Sequence, residues 1–150
     1  MLYTINQGKV QEILIEALQN SSEINQFCQE YYGKNLLISG FYDARKPITE
    51  EDCPAFVLIP DGKEEGQELE NYDYRFLGAL QVLPKVEENG IQEINDLVQL
   101  IYSTLHYAKE DRPVAEFSVE WNHSGLYPMQ MAGLGISYKI TPILGVPLEF

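Results

Sequence analysis

Positive charge is what this 150-residue chain has least of: 10 Lys and Arg stand against 23 Asp and Glu, a formal net charge of −13. Sequence-independent nucleic-acid binding needs Lys and Arg to displace phosphate counterions, and anionic membranes recruit basic patches. The balance therefore argues against both. Cysteine is scarce too. Cys28 and Cys53 form no CxxC and have no paired histidines nearby, which argues against a zinc site. Two free thiols in a reducing compartment are expected, with a single disulfide as the alternative. No apolar run approaches the ~18 residues that span a bilayer, and no basic stretch followed by an apolar run opens the chain, so no signal peptide is expected. An intracellular protein follows, in which the sequons at Asn20 and Asn122 carry no glycan.

What is present is ordinary globular material, 45% hydrophobic and 22% charged, long enough to bury a core without a metal or disulfide staple. Val10, Ile13, Leu14, Ala17 and Leu18 fall on one helical stripe, with Asn6 placed to cap it. A second stripe, Ile24, Phe27, Cys28 and Tyr31, ends at Gly33. Strand composition marks Leu36 to Phe41, Phe56 to Ile59 and Tyr74 to Val82, the last two joined by a long hairpin loop from Asp61 to Asp73. The clearest helix opens at Asn89, read as its N-cap, with Gln92 in the capping-box position, and Ile91, Ile94, Leu97, Val98, Ile101 and Leu105 form its apolar face. Phe117, Val119 and Trp121 alternate with polar residues, the pattern of a strand with one wet face. From Met129 to Ile140 the apolar phase switches from odd to even positions near Gly133, which predicts a bulge there. The fold class is α+β: a single domain over residues 1–150, a mixed, mostly antiparallel sheet with an N-terminal helix and one long central helix packed on it.

Catalytic constellations are hard to find. His106 sits at the margin of the long helix, where packing or surface histidines are common. His123 could serve Ser124 as a base, but neighbours on a strand point to opposite faces, and no Gly-x-Ser-x-Gly elbow surrounds Ser124. Gly133-Leu134-Gly135 resembles half a dinucleotide fingerprint without the helix N-terminus that its mechanism needs. Glu50, Glu51 and Asp52 lack the alternation of a calcium loop. No catalytic residue, metal or cofactor is expected, and an enzyme with a carboxylate-based site ranks last among the readings.

The acids are unevenly spread. Between Asp43 and Asp73 ten acids meet three bases, −7 of the −13. Such a run is either a solvated loop that keeps the protein soluble or a segment that orders on meeting a partner. Asp61, Glu64, Glu65, Glu68, Glu70 and Asp73 form the candidate interaction loop. Aromatic residues make up 11% of the chain, and Tyr31, Tyr32, Tyr42, Tyr72, Tyr74, Tyr102, Tyr107 and Tyr127 lie near expected loops or element edges. Tyrosine is enriched at protein interfaces, so part of this supply favours a binding surface.

The layout resembles the tail terminator (tail completion) proteins of long-tailed bacteriophages and prophages. The likeness lies in the opening helix at Val10 to Leu18, the approach Leu36 to Phe41, and the acidic loop leading into Cys53-Pro54-Ala55-Phe56-Val57-Leu58-Ile59. The strand Tyr74 to Val82, the single long helix Ile91 to Ala108, and the closing hairpin of Phe117 to Trp121 and Met129 to Ile140 complete it. The resemblance implies a structural protein that self-associates into a ring, typically a hexamer. Such a ring caps the tail tube, ends its polymerisation and meets the head-tail connector proteins. It implies no enzyme and no cofactor, with the tail tube protein and connector proteins as partners and no specific nucleic-acid or membrane binding. The location it implies is the cytoplasm of a bacterial host, or the virion tail. By the same resemblance the Asp61 to Asp73 loop would contact a neighbouring subunit or the tube. The alternative is a small acidic protein-binding adaptor module of unrelated origin.

Overall fold

Helix α1, Gln7–Gln19, begins where Asn6 accepts a hydrogen bond from the Lys9 N–H, and it buries Val10, Leu14 and Leu18. Helix α2, Ser22–Tyr32, is capped by Ser21 and stopped by Gly33, whose φ of 78° suits glycine. Strand β1, Leu37–Ser39, runs parallel to β2, Ala55–Glu64, and every other pairing is antiparallel: β2 with β3, Tyr72–Val82; β3 with β5, Gln130–Ile140; and β5 with β4, Glu116–Asn122. Helix α3, Gly90–His106, connects β3 to β4. These elements come from a computed structural model that describes residues 4–66, 69–85, 89–122 and 129–150. The strand order is β1-β2-β3-β5-β4. The protein is an α+β domain in which three helices cover one face of a five-stranded mixed sheet around one contiguous core.

That core takes Phe56 and Leu58 from β2, the even positions of β3 and β5, and the apolar stripes of the helices. On β3, Tyr74, Phe76 and Leu80 are fully buried, and Gly78 is required between them, since a Cβ there would come within 2.6 Å of the Phe56 ring. No helix among the described residues is long and apolar enough to cross a membrane.

Four expectations are corrected. First, the hairpin loop is shorter than Asp61 to Asp73, for β2 continues to Glu64 and β3 starts at Tyr72. Proline at position 60 is tolerated because β1 stops opposite Val57, so β2 is an edge strand there and its missing N–H breaks no ladder. Second, the bulge near Gly133 is absent, for β5 keeps one register against both neighbours. The apparent phase switch arises because Ala132 occupies the core position between Leu80 and Trp121, while Met131 points to the other face. The register shift lies instead between Pro60 and Lys63, around Gly62 at φ 95°. Third, Asn89 makes no capping hydrogen bond; its φ of −101° and ψ of 0° are not the extended geometry a capping side chain needs. Fourth, Tyr72 and Tyr74 do not edge a loop but are buried in β3, as is Tyr32 in α2.

Candidate functional site

The five described acids of the expected interaction loop do not form one surface. Glu64 and Glu65, adjacent in the chain, face opposite sides of the sheet. The Glu65 side chain, 8% exposed, takes a 2.7 Å ion pair from Lys63 and hydrogen bonds from the Tyr74 hydroxyl (2.8 Å) and the Ile5 N–H (3.3 Å). Burial pushes its carboxyl up, but the bonds from Lys63, Tyr74 and Ile5 outweigh that and hold it below the usual range. It is a clasp for the N-terminal segment rather than an interaction residue. Glu64 faces outward, 61% exposed, 3.3 Å from Arg75. Arg75 also bonds Asp73 at 3.0 Å, and the buried Ser137 hydroxyl donates to the other Asp73 oxygen at 2.7 Å. Asp61 and Glu70 are exposed, and Asp61 lines a shallow depression with Arg75, Glu116 and Ser137. Glu68 lies outside the described residues, as do His123, Ser124 and Tyr127.

The helix-covered side is fastened by two glutamines one turn apart on α1. Gln7 donates to the carbonyls of Gly62 and Arg75, and Gln11 to those of Gly40 and Leu58. The second pair bridges the chain after β1 to β2, satisfying backbone acceptors where the ladder has ended.

Among the described residues no α-helix covers the opposite face. Over β1 and the start of β2 it is partly roofed by segment 41–52, leaving a cleft of about 260 Å³ lined by Leu37, Phe41, Tyr42, Ile48, Ala55 and Val57. The acidic run in this segment is an ordered turn: Asp52 accepts from the backbone and hydroxyl of Thr49, which hold its carboxyl below the usual range. Leu37, Phe41 and Tyr42 are all exposed. Next to the cleft, Cys53 is buried, its thiol 3.5 Å from the Thr49 carbonyl and 3.5 Å from the Met129 sulfur. Burial pushes the Cys53 thiol up to about 11 and Cys28 up to about 12. Both are free and neither is poised to be a nucleophile.

A second apolar patch lies on the tail. Beyond β5, Thr141 bonds Asn71 at 2.7 Å, while Leu148 and Phe150 pack on the core, the Phe150 ring edge-on to Tyr138 at 5.1 Å. Between these anchors Ile143, Leu144 and Val146 stand exposed. The apolar spacing of this tail alone does not say which side chains are left uncovered. His106, the other histidine, stacks beside Tyr102 at 5.5 Å, a packing arrangement. Among the described residues no three His, Cys, Asp or Glu converge as metal ligands would.

No protein family and no curated protein matches the chain. Among solved structures, one from Akkermansia muciniphila is similar at a TM-score of 0.39 and 12% identity, over 97% of this chain and 84% of that one. A likeness at that level carries no argument about fold or function.

Proposed function

We propose that the chain is a structural assembly subunit that joins copies of itself into a ring, the role by which tail terminator proteins cap a phage tail tube and meet the head-tail connector. One observation carries this reading: large apolar side chains are exposed at two separate places, Leu37, Phe41 and Tyr42 by the cleft and Ile143, Leu144 and Val146 on the tail. Contiguous apolar exposure marks interaction surfaces. A chain of −13 gains solubility from its charge and has no need of exposed leucines unless something covers them. Two distinct patches suit a head-to-tail contact, which closes into a ring when the rotation permits. Acidic walls around a ring opening would also repel passing DNA rather than hold it.

Native mass spectrometry and negative-stain electron microscopy test the reading, with and without a tail tube protein encoded beside this chain. The expected outcome is one ring stoichiometry, a hexamer by resemblance to the family. A protein that stays monomeric or dimeric in both conditions overturns the ring and leaves the acidic adaptor.

A further inference from the structure

The two exposed apolar features have complementary forms, one convex and one concave. The tail turn is closed by a hydrogen bond from the Val146 N–H to the Ile143 carbonyl (3.0 Å), and Gly145 sits at φ 79°, the geometry of a type II turn. Leu144 is thus at the apex and fully exposed. Because the chain is tied down on both sides of the turn, by Thr141 to Asn71 and by Leu148 and Phe150 to the core, the apex is held out before any partner arrives. The concave feature is the cleft of about 260 Å³ over β1 and β2. A cavity of ~150 Å³ holds a benzene-sized group, so this one has room for a leucine side chain and part of its turn.

The two lie on opposite faces of the sheet. The tail anchors pack beside Ile5, Val10 and Ile13 on the helical side, whereas the cleft uses Leu37, Ala55 and Val57, which lie outside the helix-side core. One copy therefore cannot fill its own cleft. We infer that Leu144 of one copy inserts into the Phe41–Ile48–Val57 cleft of the next, a head-to-tail contact that rests on the ring reading above.

Charge is compatible with an uncharged apolar occupant such as the tail turn of a second copy. The cleft rim carries Asp43, Lys46 and Asp52, and Arg45 pairs with Asp43 at 3.1 Å, so the rim holds no strong charge of one sign to draw in an ionic segment. Residues 141–148, Thr-Pro-Ile-Leu-Gly-Val-Pro-Leu, carry no charge at all, and they approach that rim without like-charge repulsion. Area argues for closure rather than a dimer. One turn in one cleft buries far less than the roughly 1,200 Å² of a stable interface. A copy that uses its apex and its cleft at once doubles that area, and a closed ring lets every copy do so.

Two exposed positions test this without endangering the fold: Leu144→Asp removes the apex and Phe41→Asp disables the cleft. Each variant alone should lose the wild-type assembly, with association weakened by about 10-fold or more, while its thermal unfolding stays at the wild-type midpoint. Mixed one to one, the pair should form nothing larger than a weak heterodimer, because Phe41→Asp still offers its apex to the intact cleft of Leu144→Asp but no ring can close. If both variants assemble as the wild type does, this contact is wrong and the ring reading stands on another interface. If only one variant disassembles, or the mixture forms rings, the pairing of Leu144 with this cleft is overturned. A wild type that never assembles removes both readings.

Discussion

Glu64 and Glu65 are neighbours in sequence, yet one lies on the wet face of the sheet and the other on the face under the helices. Alternation along β2 and β3 separates two environments across a single layer of backbone. On the covered side, Phe76 and Tyr74 are buried and Glu65 has every donor it needs within reach. On the open side, Leu77 remains 43% exposed and Glu64 shares Arg75 with Asp73. The lesson is that charge alone does not assign a role. Of two identical carboxylates in a segment that sequence treats as one loop, one is clasped into the fold and the other stays 61% exposed beside Arg75.

The sharpest way to break this comparison is to truncate adjacent residues on opposite faces. Phe76→Ala should lose roughly 3–5 kcal/mol of stability in chemical denaturation, the usual cost of an emptied aromatic core site, whereas Leu77→Ala should leave the midpoint where it is. Equal effects would mean that the open face is covered in solution, as an assembled protein would show. Second in size is Glu65→Ala, which strands the Tyr74 hydroxyl, the Ile5 N–H and Lys63; charged hydrogen bonds of this kind contribute about 2 kcal/mol, and Glu64→Ala should show no comparable loss. Ser137→Ala, on the open face but buried, removes one bond to Asp73 and should cost about 1 kcal/mol, measured the same way.

The pH dependence separates buried acids with partners from those without. Glu65 is held below the carboxylate value of 4.5, so its contribution is present above that pH and is lost as pH falls through its lowered folded value. Glu93 behaves in the opposite sense. It is buried on α3 with one oxygen unpartnered among the described residues, and burial pushes its carboxyl above 4.5. Folding then favours its protonated form, and stability declines as pH rises from 4.5 through the raised folded value. Glu93→Gln should therefore raise the unfolding midpoint at neutral pH and have little effect near pH 4, while Glu65→Gln should lower it at neutral pH. Parallel pH profiles for the two variants would show that burial does not distinguish these sites.

Much of the fold was legible. The stripes of α1, α2 and α3 have a period that only a helix can bury on one side, and Asn6 and Gly33 end elements by local geometry. The hairpin was misjudged because Pro60 and the polar residues after it look like a turn, and only the end of β1 reveals that β2 is an edge there. The shift at Met131 looked like a bulge because Ala132 is small; its neighbours Leu80 and Trp121, far away in sequence, leave no space for more. The candidate site was scarcely legible. Leu37 has the composition of a core strand, and nothing local says that its face is the uncovered one.

Sequence by itself determined the element types, the α+β class and a net charge of −13, because periodicity, capping and net charge are local or additive properties. Tertiary structure alone decided which carboxylate is clasped, which strand is an edge, and that Leu144 and the Phe41 cleft are left uncovered on opposite faces. Those outcomes depend on which distant segments reach a given side chain, and no window of sequence contains that information.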